Sequence, residues 1–299
     1  MTEPTSASAP RAGFFSRLGH LAIVRILVEA AGLVITMIVA SRLLSVAVPP
    51  APSPWHADLA MLRNLILMAL VLSVYISLVR WLEHRRAGEL APGPGAAQLP
   101  AGALIGVALM ASVFLVLRVM GLASLSPGDG ASGLLAGLIA ATLAAVFEEL
   151  LLRAVLFRIV EQAFGTTVAL LVSAAVFGLL HGLNPGATLF SDAAIAIEAG
   201  LLLAMAYALT RNLWFAIGIH LGWNFTEGNL IGVPVSGGAS THSLFRAVLH
   251  GPDLLTGAAF GPEASVITIG VCVFATLVFG VFVVRGGGWR PLSRRLTIA

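Results

Sequence analysis

Runs of about 20 mostly apolar residues, each long enough to cross a bilayer, recur along this 299-residue chain. They fall at residues 21–48, 59–82, 101–121, 131–158, 166–182, 193–210, 213–232 and 264–284. That recurrence dictates an all-α, polytopic transmembrane helix bundle of about eight spans. Composition agrees: 58% of the residues are hydrophobic and only 10% charged, against about 25% charged in an average soluble domain. So few charges could not cover the surface of a water-soluble fold of this size. A cytosolic enzyme, a disordered chain and a nucleic-acid binder are excluded, and the expected partner is the lipid bilayer. Nothing in the pattern calls for an organic cofactor.

The arginines orient the bundle. All 17 basic residues are arginine, against 14 Asp plus Glu. Arg11 and Arg17 precede the first run, Arg80, Arg85 and Arg86 follow the second, and Arg153 and Arg158 end the fourth. Arg211 separates the sixth from the seventh, and Arg285, Arg290, Arg294 and Arg295 follow the last. The loops 49–58, 122–130 and 183–192 carry none. By the positive-inside rule this alternation puts both termini in the cytoplasm. The first run is too long for a cleaved signal peptide and is expected to be a permanent anchor.

The chain therefore divides into a disordered tail at 1–20, three N-terminal helices within 21–121 and a polar-studded core at 131–232. A Gly-rich outer loop at 233–263 follows, either a plain linker or a cap, and then a last helix and basic tail at 264–299. Residues 83–100, with the run Pro92-Gly93-Pro94-Gly95, read as an extramembrane connection. The single Cys272 excludes an intramolecular disulfide and a cysteine metal cluster.

Charged groups in hydrocarbon cost at least about 2.5–3.5 kcal/mol each on insertion scales, so those that persist usually face the interior and mark a site. In the fourth run, Glu149 and Arg153 stand at i,i+4 and can pair, whereas Glu148 lies about 100° around the helix and cannot share that pair. Phe177-Gly-Leu-Leu-His181 closes the fifth run, and His220-Leu-Gly-Trp-Asn224 puts an imidazole and a carboxamide on one face of the seventh. Interfacial charges, a structural histidine and an asparagine bonding neighbouring helices are the bland readings of these three in isolation. Together they form a hydrolytic set. A desolvated glutamate can act as a general base toward water, and His with Asn can donate to an oxyanion. Two His and one Glu are also a catalytic zinc set. Counting residues from the arginines puts Glu148 and His220 near mid-membrane and His181 nearer the outer face. Glu198 has no obvious local partner, and Glu227 is expected close to the outer surface.

Glu148-Glu149-x-x-x-Arg153, Phe177-x-x-x-His181 and His220-x-x-x-Asn224, in that order, resemble the signature motifs of the CAAX-protease/bacteriocin-processing (CPBP, or Abi) family of intramembrane proteases. The resemblance covers about residues 131–232, and the Arg86-Ala-Gly-Glu-Leu90 turn is also similar. It implies that Glu148 activates water, Glu149 pairs with Arg153, His181 assists the water or binds metal, and His220 with Asn224 holds the oxyanion. It leaves open a zinc ion held by Glu148, His181 and His220, although the residues lean toward a metal-free glutamate route. The expected protein is an endopeptidase of a bacterial inner membrane, acting on a membrane-associated peptide or protein. A non-catalytic transporter, immunity or scaffold protein on the same bundle is the rival.

Overall fold

The computed structural model describes residues 21–48, 55–240 and 242–292; the expected tail at 1–20, Arg294 and Arg295 lie outside them. The helices are α1 (Ala22–Ser45), α2 (His56–Leu82), α3 (Pro92–Val119), α4 (Leu134–Phe164), α5 (Thr166–His181), α6 (Leu189–Thr210) and α7 (Leu213–Asn224). A short α8 (Asp253–Thr256) and the long α9 (Val266–Arg285) complete the set. Of these, α1, α2, α3, α4, α6 and α9 are long and apolar enough to cross a membrane. The chain is a polytopic helical bundle.

One expected connection is helical instead. Pro92-Gly93-Pro94-Gly95 forms the first turn of α3 rather than a loop. Prolines there sacrifice no bond, because first-turn N–H groups have no partner within the helix.

Helix α7 is positioned by backbone contact with α3. A Cβ at Gly106 would stand 2.1 Å from the carbonyl oxygen of Ile219, and one at Gly222 2.1 Å from that of Ala103. Gly102, Gly106, Gly218 and Gly222 thus interlock two small-xxx-small stripes, the device by which membrane helices approach closely. His220 lies between the two α7 glycines.

Three helices leave regular α geometry beside polar residues. Leu150–Phe157 of α4, Ala196–Leu201 of α6 and Phe225–Ile231 after α7 are π-helical. Such wide turns are rare and often accompany functional sites. Here they follow Glu149, contain Glu198, and contain Glu227.

At the arginine-bearing end, an ion network ties α1, α2 and α4. Glu83 accepts from Arg25 at 2.7 Å, from Arg85 at 2.7 Å and from Arg158 at 2.8 Å, and Arg158 also reaches Glu29 at 3.3 Å. Arg85 grips Glu89 through two bonds of 2.8 Å, and the Tyr75 hydroxyl donates to the same carboxylate. Burial opposes ionisation of Glu83 and Glu89, yet these donors win and hold both carboxyls below the usual range. The Arg85 guanidinium is shifted the other way, upward, its bonds to Glu89 and Glu83 outweighing burial.

The opposite end carries two strands that apolar periodicity did not announce. Strands β1 (Ala123–Pro127) and β2 (Phe245–Leu249) pair antiparallel, with Leu125 opposite Ala247. The Gly-rich loop between α7 and α9 is a cap. Its Phe260 is 1% exposed and packs with Leu152, Phe177 and Ile195.

Candidate active site

Where α4, α5, α6 and α7 meet under the cap lies a cavity of about 230 Å³. Glu148, His181, His220 and Asn224, the residues singled out in the sequence, all line it. Glu148 Oε2 stands 3.9 Å from His220 Nε2 and has no hydrogen-bond partner among the described residues. The Asn224 side chain also makes no hydrogen bond with a described residue, so its amide is available to a ligand. His181, placed nearer the outer face by residue counting, is brought to the same site. Its ring stacks on Phe177 with centroids 4.6 Å apart, and Phe177 meets the His220 ring edge-on at 6.3 Å.

The two imidazoles are held by different partners. His181 Nδ1 lies 2.8 Å from the Phe177 carbonyl oxygen, which can only accept, so Nδ1 carries the proton. In the neutral ring Nε2 then bears the lone pair. His220 Nδ1 lies 3.1 Å from Glu149 Oε1, the oxygen that also accepts from Arg153 Nη1 at 3.0 Å. Arg153 is itself fully buried. It donates to the carbonyls of Ala199 at 2.9 Å and Gly200 at 3.2 Å and faces the Phe177 ring at 4.6 Å. The expected Glu149–Arg153 pair is therefore one half of a relay that ends on His220. Sequence reasoning missed the second half because it crosses from α4 to α7.

The donor positions do not fit a zinc set. Among the described residues no three His, Cys, Asp or Glu side chains are grouped to hold a metal ion. Glu148, His181 and His220 share a cavity but do not form a ligand cage, so no step is routed through zinc.

Two further acids lie at or beside the cavity. Glu227 is fully buried rather than near the outer surface, because the cap folds over it: a Cβ on Gly261 would lie 3.6 Å from its Oε1. Glu198 is 1% exposed and lines the cavity. Glu263, which the sequence pattern hid in a Gly-rich loop, also lines it and accepts from Trp223 Nε1 at 3.1 Å. Cys272 sits on the same wall, facing helices rather than lipid.

A second hollow adjoins the first. Val34, Met37 and Ile38 of α1 face Leu151 of α4 and Leu180 of α5 across it, and Glu148, Phe177, His181 and Asn184 line both spaces. The acid at the centre is thus reached from an apolar cleft between helices as well as from the capped cavity.

A half-buried glutamate with one unpartnered oxygen, two imidazoles and an unengaged carboxamide thus share one cavity inside a polytopic helical bundle. Residues 130–226 match the family model described as type II CAAX prenyl endopeptidase Rce1-like. The match covers about a third of the chain, from just before α4 to just after α7, and agrees with the resemblance carried by the three motifs. Neither a curated protein nor a solved structure matches the chain.

Proposed function

We propose that this protein is an intramembrane endopeptidase that hydrolyses a peptide bond of a membrane-associated peptide or protein by glutamate-activated water. The observation that carries the reading is the free Glu148 carboxylate 3.9 Å from His220 in a cavity shared with His181 and Asn224. In the proposed reaction Glu148 takes a proton from water as its oxygen attacks the scissile carbonyl carbon. The His181 Nε2 lone pair accepts the second hydrogen of that water and fixes its direction. The carbonyl oxygen becomes an oxyanion, which takes hydrogen bonds from the Asn224 amide and from Nε2–H of doubly protonated His220. Glu149 Oε1 accepts a hydrogen bond from Nδ1–H of that imidazolium and so favours it. The tetrahedral intermediate collapses as the C–N bond breaks, and the proton held on Glu148 passes to the leaving amine.

The eight-span arrangement with both termini in the cytoplasm, in a bacterial inner membrane, belongs to the same proposal. Gathering of Arg25, Arg85 and Arg158 in one network favours a common side for the ends of α1, α2 and α4. The test is cleavage of single-span peptide libraries in proteoliposomes, followed by mass spectrometry. Wild type should release products and Glu148→Gln none. Absence of any product from wild type across the library would favour the scaffold reading instead.

A further inference from the structure

The cavity contains an acidic end that the proposed chemistry does not use. Glu198, in the π-helical turn of α6, is 1% exposed, lines the cavity and accepts no hydrogen bond from any described residue. Glu263 and Glu227, 4% and 0% exposed, converge on a single donor, Trp223 Nε1, at 3.1 Å each. The second oxygen of Glu263 accepts from the backbone and hydroxyl of Ser236, both at 2.6 Å, whereas Glu227 Oε1 is buried without a partner. Three carboxyl groups are gathered here with one indole and one serine as donors.

Among the described residues no arginine forms an ion pair with Glu198, Glu227 or Glu263. Arg153 gives Nη1 to Glu149 and Nη2 to Ala199 and Gly200, its Nε–H has no partner among the described residues, and none of its bonds reaches Glu198, Glu227 or Glu263. Buried carboxyls left unsatisfied are costly, and a cation that donates hydrogen bonds relieves both the charge and the empty lone pairs. A metal ion is a poor candidate, since no three acidic or imidazole groups among the described residues form a cage. Leu202, Leu203 and Ile219 line the same cavity as Glu198 and give it an aliphatic wall. An apolar wall beside a carboxylate suits an alkyl stem ending in a charged head, the form of an arginine or lysine side chain.

We propose that Glu198, backed by Glu263 and Glu227, is a subsite for a guanidinium or ammonium group, and that the substrate presents a basic side chain there beside the bond to be cut. The second half of this statement rests on the proteolytic reading; the cation subsite does not. Substrate choice would then be made by charge inside the membrane, where a misplaced neutral side chain leaves Glu198 unpaired.

Two measurements on the full chain in nanodiscs or proteoliposomes test it. In thermal unfolding, butylguanidinium at millimolar concentration should raise Tm, while its neutral isostere butylurea should not. The shift should vanish in Glu198→Gln. In cleavage, peptides with arginine beside the scissile bond should be cut at least about tenfold faster than the same peptides with citrulline, as expected for a charge-assisted bond. Equal shifts from butylguanidinium and butylurea overturn the subsite, as does a shift produced by Mg²⁺ or Ca²⁺ and not by butylguanidinium. Cleavage indifferent to arginine against citrulline overturns its role in substrate choice. A selective butylguanidinium shift with no cleavage of any peptide supports the subsite and counts against the proteolytic reading alone. Should Glu198→Gln fail to fold, the two isosteric comparisons in wild type decide the matter.

Discussion

Glu149 Oε1 receives two donors from two helices, Arg153 Nη1 at 3.0 Å from its own α4 and His220 Nδ1 at 3.1 Å from α7. One oxygen thus fixes both a fully buried arginine and the orientation of the imidazole nearest Glu148, while its other oxygen is buried without a partner. The two adjacent glutamates consequently play different parts. Glu149 connects helices, and Glu148 faces the cavity.

That division gives the first prediction. Glu149→Gln strands the Arg153 charge, and breaking a buried pair typically costs about 3–5 kcal/mol. It also loosens the ring of His220. The variant should show a lower Tm, a smaller folded fraction in the membrane and little cleavage. Glu148→Gln leaves no stranded partner and should fold as well as wild type while losing activity by at least the about 10²–10⁴-fold typical of a missing general base. Tm and cleavage measured side by side decide; a stable, active Glu148→Gln would end the mechanism.

Zinc removal forms the second prediction. No ligand cage surrounds Glu148 among the described residues. Protein stripped with a strong chelator and verified metal-free by elemental analysis should keep its cleavage rate within about twofold, well under the 10-fold that 1.4 kcal/mol represents. Loss of activity restored by stoichiometric zinc would show that the cavity rearranges into a metal site.

How much of this was legible in the sequence follows from what each feature depends on. The helices and the polar residues of α4, α5 and α7 were legible, because a charge in an apolar run is conspicuous wherever the run folds. The Glu149–His220 contact was not, since 71 positions separate the two residues and only the packing of α7 on α4 joins them. The π-helical turns were invisible for a different reason: in a helix apolar on every side, periodicity does not report a shift in hydrogen-bond register. Glu263 was missed because an acid in a Gly-rich loop reads as solvent-facing, and only the cap's burial makes it part of the cavity. Residue counting, which takes no account of helix tilt and offset, set His181 apart from Glu148 and His220 and gave no sign that the three line one cavity.

The third prediction tests the contact that sets α7 in place. Gly222→Leu puts a side chain where a bare Cβ already stands 2.1 Å from the Ala103 carbonyl oxygen, so α3 and α7 must separate. Overpacking of this kind costs about 1–3 kcal/mol or more. It should lower Tm and, by displacing His220 and Asn224, depress cleavage further than stability alone explains. Gly270→Ala, where a Cβ meets nothing within 4 Å, serves as the control and should leave both unchanged. Similar behaviour of the two variants would mean that close approach of these backbones is not what holds the site.

The last prediction concerns pH and the arginine-bearing end, away from the cavity. Glu83 and Glu89 each have a carboxyl held below its ordinary value of 4.5, burial being outweighed by hydrogen bonds from Arg158 and Arg85 respectively, among others. A group whose folded pKa is depressed contributes stability above its unfolded pKa and loses it as pH falls through the folded value. The protein should therefore hold its Tm from neutral pH down to about 5, and lose it progressively in more acid solution as protons bind the unfolded chain first. In Glu83→Gln this share of the acid dependence disappears. That variant should have a lower Tm at neutral pH, because Arg25 and Arg158 lose a charged partner, and a flatter profile below pH 5. Thermal unfolding in nanodiscs between pH 3 and 7 gives both curves. If the two profiles run parallel through the acid range, Glu83 is not the group whose protonation loosens α1, α2 and α4.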